Sequence, residues 1–112
     1  METTDIKKFQ NRTPEAVRVL AFLKAKPGRR AELEDILKIV TQETRKEPGN
    51  IAYVLHRSTR DPDELMLDEI WVDMNSLEDH LKTPHIQSAM PNINEMLDVP
   101  LRIETYSEVR VA

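Results

Sequence analysis

Three histidines, His56, His80 and His85, are the side chains of this 112-residue chain best suited to moving protons near neutral pH. His80 and His85 stand five residues apart with Pro84 between them, so one unbroken helix face cannot be assumed for the pair. His85 falls in the first turn after Pro84, where the positive end of a helix dipole disfavours a protonated ring. A neutral imidazole there can accept a proton; the plainer alternative is a ring that packs or caps at the helix break. Glu69 lies between Leu67 and Trp71 on one parity of an extended segment. A carboxylate in that company is costly to bury without a partner. It can bond a histidine, a ligand hydroxyl, or a lysine or arginine at the sheet edge. Trp71, the only tryptophan, offers either a flat wall for an aromatic ligand or core filling. Tyr53 brings a hydroxyl that serves the same pocket or is structural.

Other chemistries are excluded or unsupported. The chain has no cysteine, which removes disulfides, thiolate catalysis, Cys-based zinc sites and iron–sulfur clusters. A metal site would have to assemble His80, His85 and Glu69 without any His-Glu-x-x-His or His-x-His spacing, and no metal is expected. Gly28 and Gly49 are the only glycines, so phosphate cradles and dinucleotide fingerprints are absent. The net charge of −4 comes from 20 acidic and 16 basic residues mixed along the chain, with no basic block of the kind that engages nucleic acid. No run of about 18 apolar residues suggests a membrane span, and the default expectation is a cytoplasmic protein.

The elements that must position these residues follow from pattern. Residues 1–15 are polar and aperiodic and read as a loose arm; residues 16–110 read as one domain. Val17 to Leu23 is a strand rich in β-branched residues, stopped at Pro27-Gly28. Leu33, Ile36, Leu37 and Val40 repeat at helical spacing within residues 31–46. Glu47-Pro48-Gly49-Asn50 is a turn in which Gly-Asn tolerates positive φ. Strands are expected at 51–57 and 65–73, joined by the turn Asp61-Pro62-Asp63. Asp73, Asn75 and Ser76 offer caps for a helix carrying Leu77, His80 and Leu81. Thr83-Pro84 restarts that helix, Pro91 should kink or restart it again, and residues 101–109 form the last strand.

The resulting order, β-α-β-β-α-β, predicts a ferredoxin-like α+β fold with an antiparallel sheet and two helical regions on one face. Apolar residues occupy both parities of the strands: Leu20 and Phe22 alternate with Val19 and Ala21, and Met66, Ile70 and Val72 with Leu65, Leu67 and Trp71. Two exposed greasy faces would leave a patch that soluble monomers rarely tolerate, so a homodimer stacked sheet to sheet is expected.

Several segments together resemble the antibiotic biosynthesis monooxygenase family. They are Lys26-Pro27-Gly28, Glu47-Pro48-Gly49-Asn50 leading into a strand with Tyr53, Glu69-Ile70-Trp71, and Leu77-x-x-His80-Leu81-Lys82-Thr83-Pro84-His85. The last is similar to the bacterial quinol monooxygenases. The resemblance implies a dimeric α+β barrel and a pocket between sheet and helices. It also implies oxidation of a quinol-like or polyphenolic molecule by O2 with no cofactor. Carried over by position, His80 and His85 are the catalytic candidates, and Trp71, Glu69 and Tyr53 the substrate contacts. Related haem-degrading enzymes would need an asparagine where Ala21 stands and a histidine where Met90 stands, which argues against haem. An isomerase acting on a small carbonyl compound and a binding module without turnover remain as alternatives on the same fold.

Overall fold

A computed structural model describes residues 15–112; the expected arm at residues 1–15 lies outside these, apart from Glu15. The elements are β1 (Val17–Lys24), α1 (Arg30–Thr44), β2 (Asn50–Arg57), β3 (Glu64–Trp71), α2 (Met74–Leu81), α3 (Pro84–Met96) and β4 (Arg102–Tyr106). The sheet order is β2-β3-β1-β4, with every neighbouring pair antiparallel. This is the ferredoxin-like α+β arrangement that the element order predicts. Among the described residues no helix is long and apolar enough to cross a membrane.

Register decides which side chains meet. Across β1 and β3, Val17 faces Trp71, Val19 faces Glu69, Ala21 faces Leu67 and Leu23 faces Leu65. Opposed residues share a sheet face, and all eight are buried. Leu33, Leu37 and Val40 of α1 and Ile86, Ile93 and Met96 of α3 close over them as one core. The opposite face is more polar than strand parity alone suggests. Leu20 and Phe22 are half-buried there, Arg18 forks onto Asp68 at 3.0 and 2.6 Å, and the Arg102 guanidinium lies 4.1 Å above the Phe22 ring. Ile70 is buried against Ile51, Ala52 and Val72.

The two glycines do different work from one another. Gly28 holds φ +80° after Pro27, and Arg29 N–H closes the turn onto the Lys26 carbonyl at 3.0 Å; only glycine adopts that backbone cheaply. Gly49 has no positive φ, contrary to the reading of Gly49-Asn50 as a positive-φ turn. Its requirement is steric, because a Cβ at Gly49 would run into the Ser76 side chain on α2. Asn50 instead begins β2, and its amide donates to the Ala52 carbonyl at 3.0 Å, serving the irregularity between Asn50 and Ala52.

Three other boundaries shift. α3 runs through Pro91 without a break; the proline is exposed, so its ring is accommodated on the solvent side. β3 ends at Trp71, because Asp73 leaves the sheet to cap α2, accepting from Ser76 N–H at 2.8 Å. β4 ends at Tyr106, and the residues beyond it are exposed.

Candidate active site

The core between sheet and helices is not filled. A cavity of about 310 Å³ opens there, and its floor is the inner sheet face at Val19, Ala21, Leu67 and Glu69. Tyr53, His80, Met90 and Ile93 are among its walls. Leu81, at 45% exposed, and Ile103, at 47%, also line it, which puts the mouth between the end of α2 and the edge strand β4. The volume lies at the small end of the range for ligand pockets, about 300–1,000 Å³.

Two proton-accepting groups look into this space. Glu69 sits on β3 between Val19 of β1 and Tyr53 of β2. It is 4% exposed. Burial pushes its pKa up to about 7, although the Trp71 indole N–H, donating to Glu69 Oε1 at 2.9 Å, works in the opposite direction. A carboxyl group in that range exchanges its proton near neutrality. Tyr53 also lines the cavity, and burial followed by the nearby Glu69 raises its pKa, so its phenol stays protonated.

His80 comes from the last turn of α2. Its Nδ1 lies 2.8 Å from Glu47 Oε2. A carboxylate can only accept, so the geometry assigns the imidazole proton to Nδ1 and leaves a lone pair on Nε2. Burial lowers the pKa of His80, with Glu47 opposing it, and this favours the neutral ring. The ring is held on two sides: Trp71 lies at 4.6 Å between centroids and Tyr53 meets it edge-on at 5.7 Å. Its backbone is tied as well. Thr83 Oγ1 donates to the His80 carbonyl at 2.8 Å, so that hydroxyl does not make the cap bond expected of it at the start of α3.

The sequence candidates therefore separate. Glu69, Tyr53 and His80 line the cavity, whereas Trp71 is fully buried behind His80 and His85 lines a different, surface pocket with Ile36, Ser88 and Asn92. His85 Nε2 stands 3.3 Å from Glu47 Oε2 and 3.2 Å from Thr44 Oγ1. Glu47 is the residue that sequence reasoning missed. It was read only as part of a turn, yet its carboxylate bridges both histidines across separations of 33 and 38 residues, which no local spacing displays. The carboxylate beside the histidines is Glu47 and not Glu69. Gly49 makes this possible: the turn carrying Glu47 packs against α2 without a side chain in the way.

The family model for antibiotic biosynthesis monooxygenases matches residues 16–92. The chain belongs to the antibiotic biosynthesis monooxygenase family. Among curated relatives, YcnE of Bacillus subtilis, named as a candidate monooxygenase, is 29% identical over 83 residues, covering 74% of this chain and 87% of that protein. A conserved protein of Methanosarcina mazei has a solved structure with a TM-score of 0.82 at 31% identity, covering 86% of this chain and 95% of that one. A solved antibiotic biosynthesis monooxygenase aligns with a TM-score of 0.80 at 26% identity, over 84% of this chain and 99% of its own. The matched range holds Glu47, Tyr53, Glu69, Trp71, His80 and His85, and ends before β4, which supplies one rim of the cavity.

Proposed function

We propose that this family member is a cofactor-independent monooxygenase that hydroxylates a one- or two-ring hydroquinone or polyphenol with O2. The observation that carries the proposal is the Glu47–His80 pair: Nδ1 is anchored at 2.8 Å on a carboxylate, which leaves the lone pair on Nε2, and the ring lines a small apolar cavity. His80 removes a phenolic proton, which makes the ring electron-rich enough to pass one electron to O2. The superoxide and the aryl-oxyl radical combine to a C–O bond, and the peroxide anion takes the proton back from the imidazolium. Loss of water from the hydroperoxide leaves a carbonyl, so one hydroquinone and one O2 give one hydroxyquinone and one water. Tyr53 donates a hydrogen bond to a substrate oxygen. Glu69 takes up the second phenolic proton and returns it to the hydroxyquinone oxygen as water is lost. Trp71 and His85 are positioning residues, acting through the His80 ring and through Glu47. The aliphatic walls exclude water from the reactive anion.

We also place the working unit as a homodimer joined through the outer sheet face, where Leu20, Phe22 and Met66 are half-buried beside the Arg18–Asp68 pair. The presence of two proton carriers, Glu69 and His80, also suits a proton-shuttling isomerase, so oxygen consumption is the deciding measurement. With metal-free protein and a panel of hydroquinones in an oxygen electrode, uptake above the autoxidation rate is expected. His80→Ala should lower the enzymatic part about 10²-fold or more, as expected for loss of a general base. Product formation without oxygen uptake points to the isomerase, and binding without product points to a carrier. Either result, or full activity in His80→Ala, removes the monooxygenase mechanism.

A further inference from the structure

Glu47, His80 and His85 converge from three separate places: the α1–β2 turn, the last turn of α2 and the first turn of α3. One ligand atom from each, Glu47 Oε2, His80 Nδ1 and His85 Nε2, lies within 4.8 Å of the other two. The two pairs that include Glu47 measure 2.8 and 3.3 Å. Around a zinc-like ion with bonds of about 2.0–2.1 Å, tetrahedral ligand atoms stand about 3.3 Å apart. The two carboxylate–imidazole separations already suit one ion, and the two imidazole nitrogens, no more than 4.8 Å apart, would have to approach one another to close on it. His85 adds a separate indication. Its Nε2 stands 3.3 Å from Glu47 Oε2 and makes a long hydrogen bond of 3.2 Å with Thr44 Oγ1, so the nitrogen is aimed between two oxygens.

We infer that Glu47, His80 and His85 form a binding site for one divalent late transition ion of the zinc class. Two imidazoles and a carboxylate suit zinc, nickel or copper and are a poor match to magnesium or calcium, which take six or more oxygens. The Thr44 hydroxyl or a water completes the shell. His85 gives the site access from outside: its side chain is 23% exposed and lines a second pocket of about 270 Å³ that includes neither His80 nor Glu69. Burial already favours the neutral His80 ring, the form a metal requires.

The consequence for turnover rests on the proposed function, while the binding does not. A metal on His80 Nδ1 takes the place of the proton held there by Glu47, and the neutral ring then carries its single proton on Nε2, the other tautomer. The Nε2 lone pair that the proposed reaction uses is then gone, so ion and proton abstraction exclude one another. The site acts as an inhibitory metal site.

Two readouts test this independently. Metal-free protein is titrated with Co2+, followed by visible absorption, and with Zn2+ against a chromophoric chelator. One ion per chain is expected. Glu47→Gln, which keeps the side-chain shape, and His85→Ala, at a partly exposed position, should each weaken binding at least tenfold, whereas His56→Ala should leave it unchanged. Absence of stoichiometric binding, or binding indifferent to both Glu47→Gln and His85→Ala, overturns the site. In the second readout, one equivalent of Zn2+ should abolish hydroquinone-dependent oxygen uptake and a chelator should restore it; unimpaired uptake with the ion bound overturns the inhibitory role. If no hydroquinone supports uptake at all, the proposed function fails and the titration alone decides the metal site.

Discussion

Glu69 allows the cost of the site to be measured without knowing the substrate. Its carboxyl is buried on the sheet floor and its pKa stands at about 7 in place of the ordinary 4.5. In the unfolded chain the group ionises near pH 4.5, while the folded chain keeps its proton until about pH 7. Between those values the native state binds more protons than the unfolded state, so native stability falls as pH rises, and levels off once the native carboxyl ionises too. A gap of that size corresponds to at most about 3 kcal/mol. Glu69→Gln removes the titration while keeping an oxygen for the Trp71 indole N–H, which donates at 2.9 Å. The variant should match the wild type in stability near pH 4.5 and exceed it progressively, by up to about 3 kcal/mol at pH 7.5. For a domain of this size that is on the order of 10 °C in Tm. The measurement is urea or thermal unfolding of both proteins across this pH range, at one fixed protein concentration because self-association would make stability depend on it. A difference that stays constant with pH would refute the account, since the burial argument requires the two curves to separate. The same variant should lose turnover, pairing a stability gain with a functional loss.

Two further perturbations test the framework that holds the site. Gly49→Ala should cost about 1–3 kcal/mol by overpacking against Ser76, and Ser76→Gly added to it should restore more stability than the two single changes predict, read as a coupling energy in a double-mutant cycle. Glu34, 5% exposed on α1, accepts from Arg57 at 2.6 and 2.7 Å and from Arg30 at 2.8 Å, and these partners, Arg57 first, lower its pKa to about 2. A depressed carboxylate stabilises the fold above its unfolded pKa, and that contribution disappears as pH falls from about 4.5 towards 2. Glu34→Gln should therefore cost about 1–2 kcal/mol near neutrality, limited by the 65% exposure of the Arg57 side chain. It should also flatten the acid limb of the stability profile, as followed by circular dichroism in an acid titration.

What the sequence discloses here depends on how far apart the cooperating residues lie. Strand parity is a two-residue signal, and it correctly groups Leu65, Leu67, Glu69 and Trp71 on the face that meets α1 and α3. Capping is a three-residue signal, and it picks out Asp73 at the start of α2. Pro84 marks the restart at α3 for the same local reason, whereas Pro91 misleads because an exposed proline ring can be carried inside a packed helix. Glu47 and the histidines are joined only by tertiary contact, so neither the ion pairs nor the sharing of one carboxylate can be read from spacing. Gly49 is similar: its need for a missing side chain comes from Ser76, on an element 27 residues away. Trp71 was legible as important, but its place behind His80 and outside the cavity depends on ring packing, which strand parity does not specify.

The choice between catalysis and mere containment comes down to Glu47. A cavity lined by aliphatic residues would bind a small aromatic ring whether or not a base were present. An imidazole in its wall could rotate, share its proton with either nitrogen, or bond the ligand as a donor. The carboxylate at Nδ1 removes that freedom, and the rings of Trp71 and Tyr53 fix the plane. Glu47 itself is held by a turn whose closeness to α2 requires glycine at position 49. That chain of constraints leaves the lone pair on Nε2 of a ring that lines a space of about 310 Å³. In a passive binding pocket such fixation would only lower the ordering cost of a hydrogen bond to the ligand. A base that must meet a phenolic proton at a set position needs it. The same fixation brings a second imidazole to the same carboxylate, so the geometry that would serve His80 as a base in the proposed reaction is also the one proposed to hold a metal ion.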